Sequence, residues 1–293
     1  GFGRIKPMTD MRELTHSEFP SLLQEIDDPP ERLYLKGALP RAGNTTLCVV
    51  GSRKHSEYGR RVCTTLLRGL SGYAVTIVSG LALGIDSIAH STALDAGLQT
   101  IAVPGSGLNE RVLYPASHSR LAASIIAAGG GLLSEYDPDF QATPWSFPRR
   151  NRIMAGMCHG VLIIEAAPRS GTLITARLAT EYNRDVLAVP GSIFSPQSAG
   201  PHALIQDGAT PVTSPDELQD ALNCARPSHD DPHAAPAHLS QNETRVYEAL
   251  REPITRDTLI ERTGLSASAA SAALSMLEIK GLVSETDGRV QRG

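Results

Sequence analysis

Between residues 45 and 222 the chain repeats one pattern: a short, nearly unbroken apolar run, then a turn, then a segment with helical spacing of apolar residues. The apolar runs fall at 45–51, 74–79, 99–104, 131–135, 160–165 and 185–190. Amphipathic stretches lie between them at 56–70, 86–96, 117–128 and 172–183. Strands apolar at successive positions must be covered on both faces, as in a parallel sheet flanked by helices. The alternation therefore predicts an α/β fold built on a doubly wound, mostly parallel sheet. Ligands of such sheets lie beyond the carboxyl ends of the strands, where the connections change direction.

The 293 residues leave room for a second domain. We divide the chain into 1–40, an N-terminal remnant or tether that includes the turn-rich Asp27-Asp28-Pro29-Pro30; 41–224, the sheet domain; 225–239, a linker rich in Pro, Ala, His and Asp; and 240–293. The last piece shows helical patterns at 241–251, 255–263 and 267–280, then an Asp287-Gly288 hairpin signal, which together predict a winged helix. No apolar run reaches the ~18–20 residues needed to cross a bilayer. No secretory leader is visible, and a start at Gly1 is read as the loss of an N-terminal piece. The four cysteines, Cys48, Cys63, Cys158 and Cys224, lack metal-like spacing and read as reduced core residues of a cytoplasmic protein. A net charge of −4 argues against a broad positive field, so any polyanion must be held at a local patch.

Candidate contacts follow from the strand ends. A strand, a glycine turn and a helix N-terminus leave backbone N–H groups aimed at one place, which suits phosphate. Val49-Val50-Gly51-Ser52-Arg53 is one such junction, with Arg53 able to grip phosphate bidentately; the alternative is a solvated turn capped by Ser56. It is not a dinucleotide fingerprint. Ser79-Gly80-Leu81-Ala82-Leu83-Gly84-Ile85-Asp86 is a second, with Asp86 read as a helix cap and His90 as a structural hydrogen-bonding group. Pro104-Gly105 and Pro190-Gly191 close two further strands, and Ser170, Gly171 and Thr172 suit an anion at a helix start. Phe147, Arg149, Arg150, Asn151 and Arg152 form the densest basic run of the domain; aromatics there either stack on an unpaired base or belong to the core. With 4% aromatic residues an extended stacking platform is not expected. The third helix of the C-terminal piece offers one Glu and one Lys across 266–280 and reads as a packing or protein-contact element, not a reader of base edges.

Taken in order, 29–37 (ProProGluArgLeuTyrLeuLysGly), 49–53, 79–86 with His90, Tyr114-Pro115, Ser134-Glu135-Tyr136, 147–153 (PheProArgArgAsnArgIle), 165–176 and Val189-Pro190-Gly191 resemble the bacterial DNA-processing protein A (DprA/Smf) family. The resemblance implies an extended Rossmann-like domain that dimerises around 195–222. It implies binding of single-stranded DNA in a basic pocket and loading of the RecA recombinase during natural transformation, with no cofactor, metal, membrane contact or catalytic turnover. The pocket would draw on Gly51, Ser52, Arg53, Ser79, Gly80, Gly84, Ile85, Asp86, Gly105, Phe147, 149–152 and 170–172. The stretch 107–114 looks longer than the family's usual connection, and a helical domain that often precedes the Rossmann-like domain is mostly missing. Two other readings stand beside this one. Rossmann-like phosphoribohydrolases carry a catalytic glutamate three residues after a Gly-Thr pair, where this chain has Thr175. A nucleotide-sensing module could use the same phosphate-binding turns.

Overall fold

The computed structural model describes residues 11–224, 239–250, 254–280, 282–286 and 289–292. It divides into two compact units, Gly1–Arg226 and Pro227–Gly293. The expected linker lies outside the described residues except for Leu239.

In the first unit the chain enters through β1 (Arg12–Leu14), α1 (Ser21–Gln24) and β2 (Leu33–Gly37). The predicted alternation follows: β3 (Thr45–Val50), α2 (Glu57–Arg68), β4 (Val75–Ser79), α3 (Ile85–Asp95), β5 (Gln99–Ala102), α4 (Ser119–Ala127) and β6 (Gly131–Ser134). It continues through α5 (Ser146–Gly156), β7 (Gly160–Ile163), α6 (Gly171–Glu181), β8 (Asp185–Ala188), α7 (Ala199–Gln206), β9 (Thr210–Pro211) and α8 (Pro215–Ala221). The nine strands form one sheet in the order β1-β2-β6-β5-β4-β3-β7-β8-β9. The seven strands from β3 to β9 run parallel, while β2 pairs antiparallel with β6 and β1 with β2.

Alternate residues of the strands feed two cores, as the period of two requires. Leu47 and Val49 of β3 pack with Cys63, Leu66 and Leu67 of α2 and Ala89 of α3. Cys48 and Val50 pack on the opposite face with Leu23 of α1, Ile153 and Met154 of α5 and Ala176 of α6. Burying a leucine of this kind contributes about 1.5–3 kcal/mol. The predicted sheet is present, but the tether expected over 1–40 is corrected for its described part. Leu14, Phe19, Leu33 and Leu35 are core residues, and β1 and β2 extend the sheet beyond β6, with β1 at its edge. Their alternation is only three to five residues long, too short to stand out against the surrounding turns.

The second unit holds α9 (Gln241–Ala249), α10 (Arg256–Thr263) and α11 (Ala267–Ile279), followed by the paired strands β10 (Val283–Thr286) and β11 (Arg289–Arg292). This is the order of a winged helix. Ser240 accepts from Glu243 N–H and Glu243 reaches back to Ser240 N–H, closing a capping box at α9. Gly264 ends α10 with a φ of +63°, the left-handed stop that favours glycine. Val246, Leu250, Leu259, Leu274, Leu277, Val283 and Val290 make a separate small core. The turn residues Asp287 and Gly288 lie outside the described residues.

Candidate nucleic-acid cleft

From β3 the chain steps outward through β4, β5 and β6, then returns to β7 beside β3 and steps the other way through β8 and β9. The order reverses between β3 and β7, and loops leaving neighbouring strands there turn apart and open a crevice. A cleft of about 720 Å3 sits at that point. Gly51, Ser52, Arg53 and Lys54 approach it from β3, Ala82 and Asp86 from β4, and Arg169, Ser170, Gly171 and Thr172 from β7. Phe147, Arg150 and Asn151 of α5 form its floor.

The cations that reach solvent here are Arg53, Lys54 and Arg169. Arg53 has no ion-pair partner among the described residues; its guanidinium carbon lies 5.0 Å from the centre of the Phe147 ring. Arg169 holds a left-handed φ of +64°, an uncommon state for a side chain of its size, at the tip of the loop before α6. Ser170 caps α6 by accepting from Thr172 N–H, and the helix turns its N-terminus to the cleft. Asn151 Nδ2 donates to Gly171 O at 3.3 Å and ties α5 to the same turn.

The glycine turns after β3 and β4 do not offer open helix starts. At α2 the N-terminus is filled by Glu165, a buried carboxylate that accepts from Ser56 N (2.9 Å) and Ser56 Oγ (2.5 Å). At α3 the first N–H, that of Ile85, donates to Ser52 O. Gly84 has a φ of +87°, and a Cβ there would strike Ser52 O and Arg53, so only glycine lets the two loops meet. Asp86 is not a helix cap. Its Oδ2 accepts from Gly80 N (3.1 Å) and Ala82 N (3.3 Å) and fastens the loop across itself. Burial pushes its carboxyl up, and the nearby Arg150 guanidinium acts against that.

Several expected contacts are therefore corrected to supporting roles. Ser79 is fully buried and its hydroxyl donates to Val49 O at 2.6 Å. Ile85 is fully buried in the core. Gly80 is where the Arg150 guanidinium packs, and Gly105 lies under the Phe147 ring. Gly80, Gly84, Ser79, Ile85 and Gly105 do not line the cleft. Arg150 is buried, and its Nη1 donates to Gly80 O (2.7 Å) and to Val103 O. Arg152 is also buried; it pairs with Glu135 at 2.6 Å and Asp28 at 3.2 Å, beside a separate groove. Arg149 is exposed but leans on Glu135 at 3.4 Å and faces the same groove. Gly51, Ser52, Arg53, Asp86, Phe147, Arg150, Asn151, Ser170, Gly171 and Thr172 do converge. Lys54, Arg169 and Gln197 line the cleft outside the residues expected from the sequence, and Ala82 lines it as part of the expected 79–86 loop. Lys54 and Arg169 adjoin singled-out residues, and charge beside a glycine turn was the available signal. Gln197 comes from a distant loop by a hydrogen bond to Lys54 O, which no local pattern encodes. His90 is fully buried, with Nδ1 2.7 Å from Thr100 Oγ1, as a structural histidine should be.

Fold and cleft define an α/β protein of the doubly wound, Rossmann-like class that gathers cations and a helix N-terminus at its switch point. A model of the DNA recombination-mediator protein A family matches residues 10–223, and a model of the DprA winged helix domain matches residues 230–289. The chain belongs to the DNA-processing protein A (DprA/Smf) family. It is 48% identical over 207 residues to Protein Smf of Escherichia coli (strain K12), a match covering 70% of this chain and 55% of that protein. The chain thus spans little more than half of that relative. It is 47% identical over 196 residues to DNA processing protein DprA of Streptococcus pneumoniae, covering 67% of this chain and 68% of the other. The X-ray structure of the Streptococcus pneumoniae DprA superposes with a TM-score of 0.67 at 42% identity, over 73% of this chain and 75% of that one. A DNA processing protein A from Helicobacter pylori, whose structure addresses its single-stranded DNA binding mode, gives 0.64 at 29% identity over 75% and 98%.

Proposed function

We propose that this chain binds single-stranded DNA through its sugar-phosphate backbone in the switch-point cleft, without catalytic turnover, and presents it for recombination. The observation that carries the reading is the pairing of exposed Arg53, without an ion-pair partner among the described residues, with Lys54 and Arg169 against the N-terminus of α6 in one cleft of a chain whose net charge is −4. The single-strand binding mode of the Helicobacter pylori relative supports it. Among the described cleft-lining residues Asp86 is the one carboxylate, and two backbone N–H groups already hold it. Thr175 lines the cleft where a phosphoribohydrolase would need its glutamate. The family description as a recombination mediator supports delivery of the strand to the RecA recombinase. Pairing with a second copy through 195–222 draws support from the neighbouring Ile193 and Phe194, which are 80% and 90% exposed. No described helix is long and apolar enough to cross a membrane.

Fluorescence anisotropy of a labelled single strand, with a duplex of equal length as competitor across a salt series, tests the reading. Single-strand preference with a salt slope of a few phosphates is expected. Equal binding of both forms, or none, overturns it in favour of a small nucleotide. Release of free base from nucleoside monophosphates would overturn the non-catalytic part.

A further inference from the structure

We propose that Leu83 and Tyr114 form a shelf beside the cleft on which one unpaired nucleobase stacks, and that this shelf, not the phosphate contacts, separates single strands from duplexes. The proposal rests on the nucleic-acid reading of the cleft. Leu83 and Tyr114 are large apolar or aromatic residues left 50% and 46% exposed. Together with Pro115 they border a shallow recess that shares Arg53, Ala82 and Phe147 with the cleft. The recess holds about 20 Å3, far too little to enclose a base, so a base can only lie against it. Tyr114 continues an aromatic step: its ring centre is 5.5 Å from that of Phe147, which in turn carries Arg53 at 5.0 Å. Charge and apolar surface are thereby sorted. Arg53, Lys54, Arg169 and the α6 N-terminus lie in the cleft, and among the described residues no carboxylate borders the recess. A nucleotide has the same division, with its phosphate on one side of the sugar and a flat apolar face on the other.

Hydrogen bonds anchor the backbone segments that carry the shelf. Tyr114 N donates to the buried Ser106 Oγ at 3.1 Å, and Ser134 Oγ donates to Ser106 O at 2.7 Å. His118 Nδ1 lies 2.8 Å from Leu81 O, joining the segment after Tyr114 to the loop that carries Leu83. An anchored backbone loses less entropy when the shelf is covered. In a duplex each base is already stacked and paired, so its flat face is not available. Phosphate contacts alone hold both forms, since both carry the same backbone charge. Stacking on a shelf without edge hydrogen bonds also discriminates little among bases.

The test compares a labelled oligothymidylate with an abasic strand of the same length and backbone, on the full chain. The wild-type protein is expected to prefer the base-bearing strand about tenfold, the size of one stacking contact. Tyr114→Ala should lose most of that preference while binding the abasic strand as tightly as before; Tyr114→Phe should keep it, and Leu83→Ser should reduce it. The single-strand over duplex ratio should fall in step. Equal wild-type affinity for both strands, or a Tyr114→Ala loss that is the same for both, overturns the shelf and leaves the cleft reading intact. Wild-type binding to neither strand overturns the cleft reading itself. An unchanged unfolding midpoint for the variants shows that the fold is retained, because both side chains are half exposed.

Discussion

The cations in and beside this site fall into two groups that the fold, not the sequence, brings near one another. Arg53, Lys54 and Arg169 stand exposed on loops at the switch point. Arg150 and Arg152, from the densest basic run of the domain, are 4% and 7% exposed and bound to the protein itself. Arg150 joins the loop after β4 to the segment after β5 by donating to Gly80 O and Val103 O. Burial pushes its pKa down, and Asp86 opposite acts against that. A buried guanidinium has five donors with which to satisfy carbonyls that no strand can pair. The contrast teaches that clustered arginines can be the bracing of a phosphate site, while the contacts come from single cations beside glycine turns.

The largest expected effect breaks the bracing. Arg150→Ala leaves Asp86 buried without its counter-charge and strands two carbonyls, and should cost about 3–5 kcal/mol of stability. Urea unfolding of the sheet unit measures it; a loss under about 1 kcal/mol would mean that Arg150 is not structural. The contact group should respond in the opposite way. Arg53→Ala should leave the unfolding midpoint in place and weaken single-strand binding by about 1–3 kcal/mol, with a salt slope lower by about one phosphate. Unchanged affinity would remove Arg53 from the site.

How far the sequence reached follows the same division. The inner strands β3 to β8 were legible because each is a continuous apolar run, and a strand covered on both faces has no other composition. The short edge strands β1 and β9 were not, since an edge needs little apolar surface, and neither was β2, whose Leu33-Tyr34-Leu35-Lys36 alternates instead of running apolar throughout. At the site, glycine turns were legible as the places where backbone approaches a ligand. Which of them stay open was not legible, because Glu165 and Ser52 O close two helix starts from far away in the chain. Burial of Arg150 and Arg152 was illegible for a similar reason: their partners Gly80, Val103, Glu135 and Asp28 lie 17 to 124 residues distant.

At neutral pH the next effect vanishes, and it emerges only on acidification. Burial holds the His90 imidazole well below its usual range, at about 3, so the folded protein keeps it neutral. The unfolded chain takes up a proton below pH ~6.5. Stability should therefore decline as pH falls from about 6.5 towards 3, by up to about 1.4 kcal/mol per pH unit from this group alone. His90→Gln should flatten that decline in urea unfolding measured across the range. If His90→Gln instead changed strand affinity at neutral pH, the buried layer beneath the cleft would belong to the contact group.

The smallest expected effect concerns the C-terminal unit. Its third helix shows solvent Ser268, Ser271, Ala272, Ser275, Met276 and Glu278, with no cation among them. Lys280, just beyond, is paired to Glu243 at 2.7 Å, and that bond holds the Glu243 carboxyl down to about 2. A helix without free cations neutralises few phosphates, and phosphate neutralisation supplies most non-specific affinity. Removing residues 225–293 should leave single-strand affinity and its salt slope nearly unchanged in the anisotropy assay. A steep loss would place phosphate contacts on the winged helix and turn the comparison from bracing against contact into two contact surfaces on one chain.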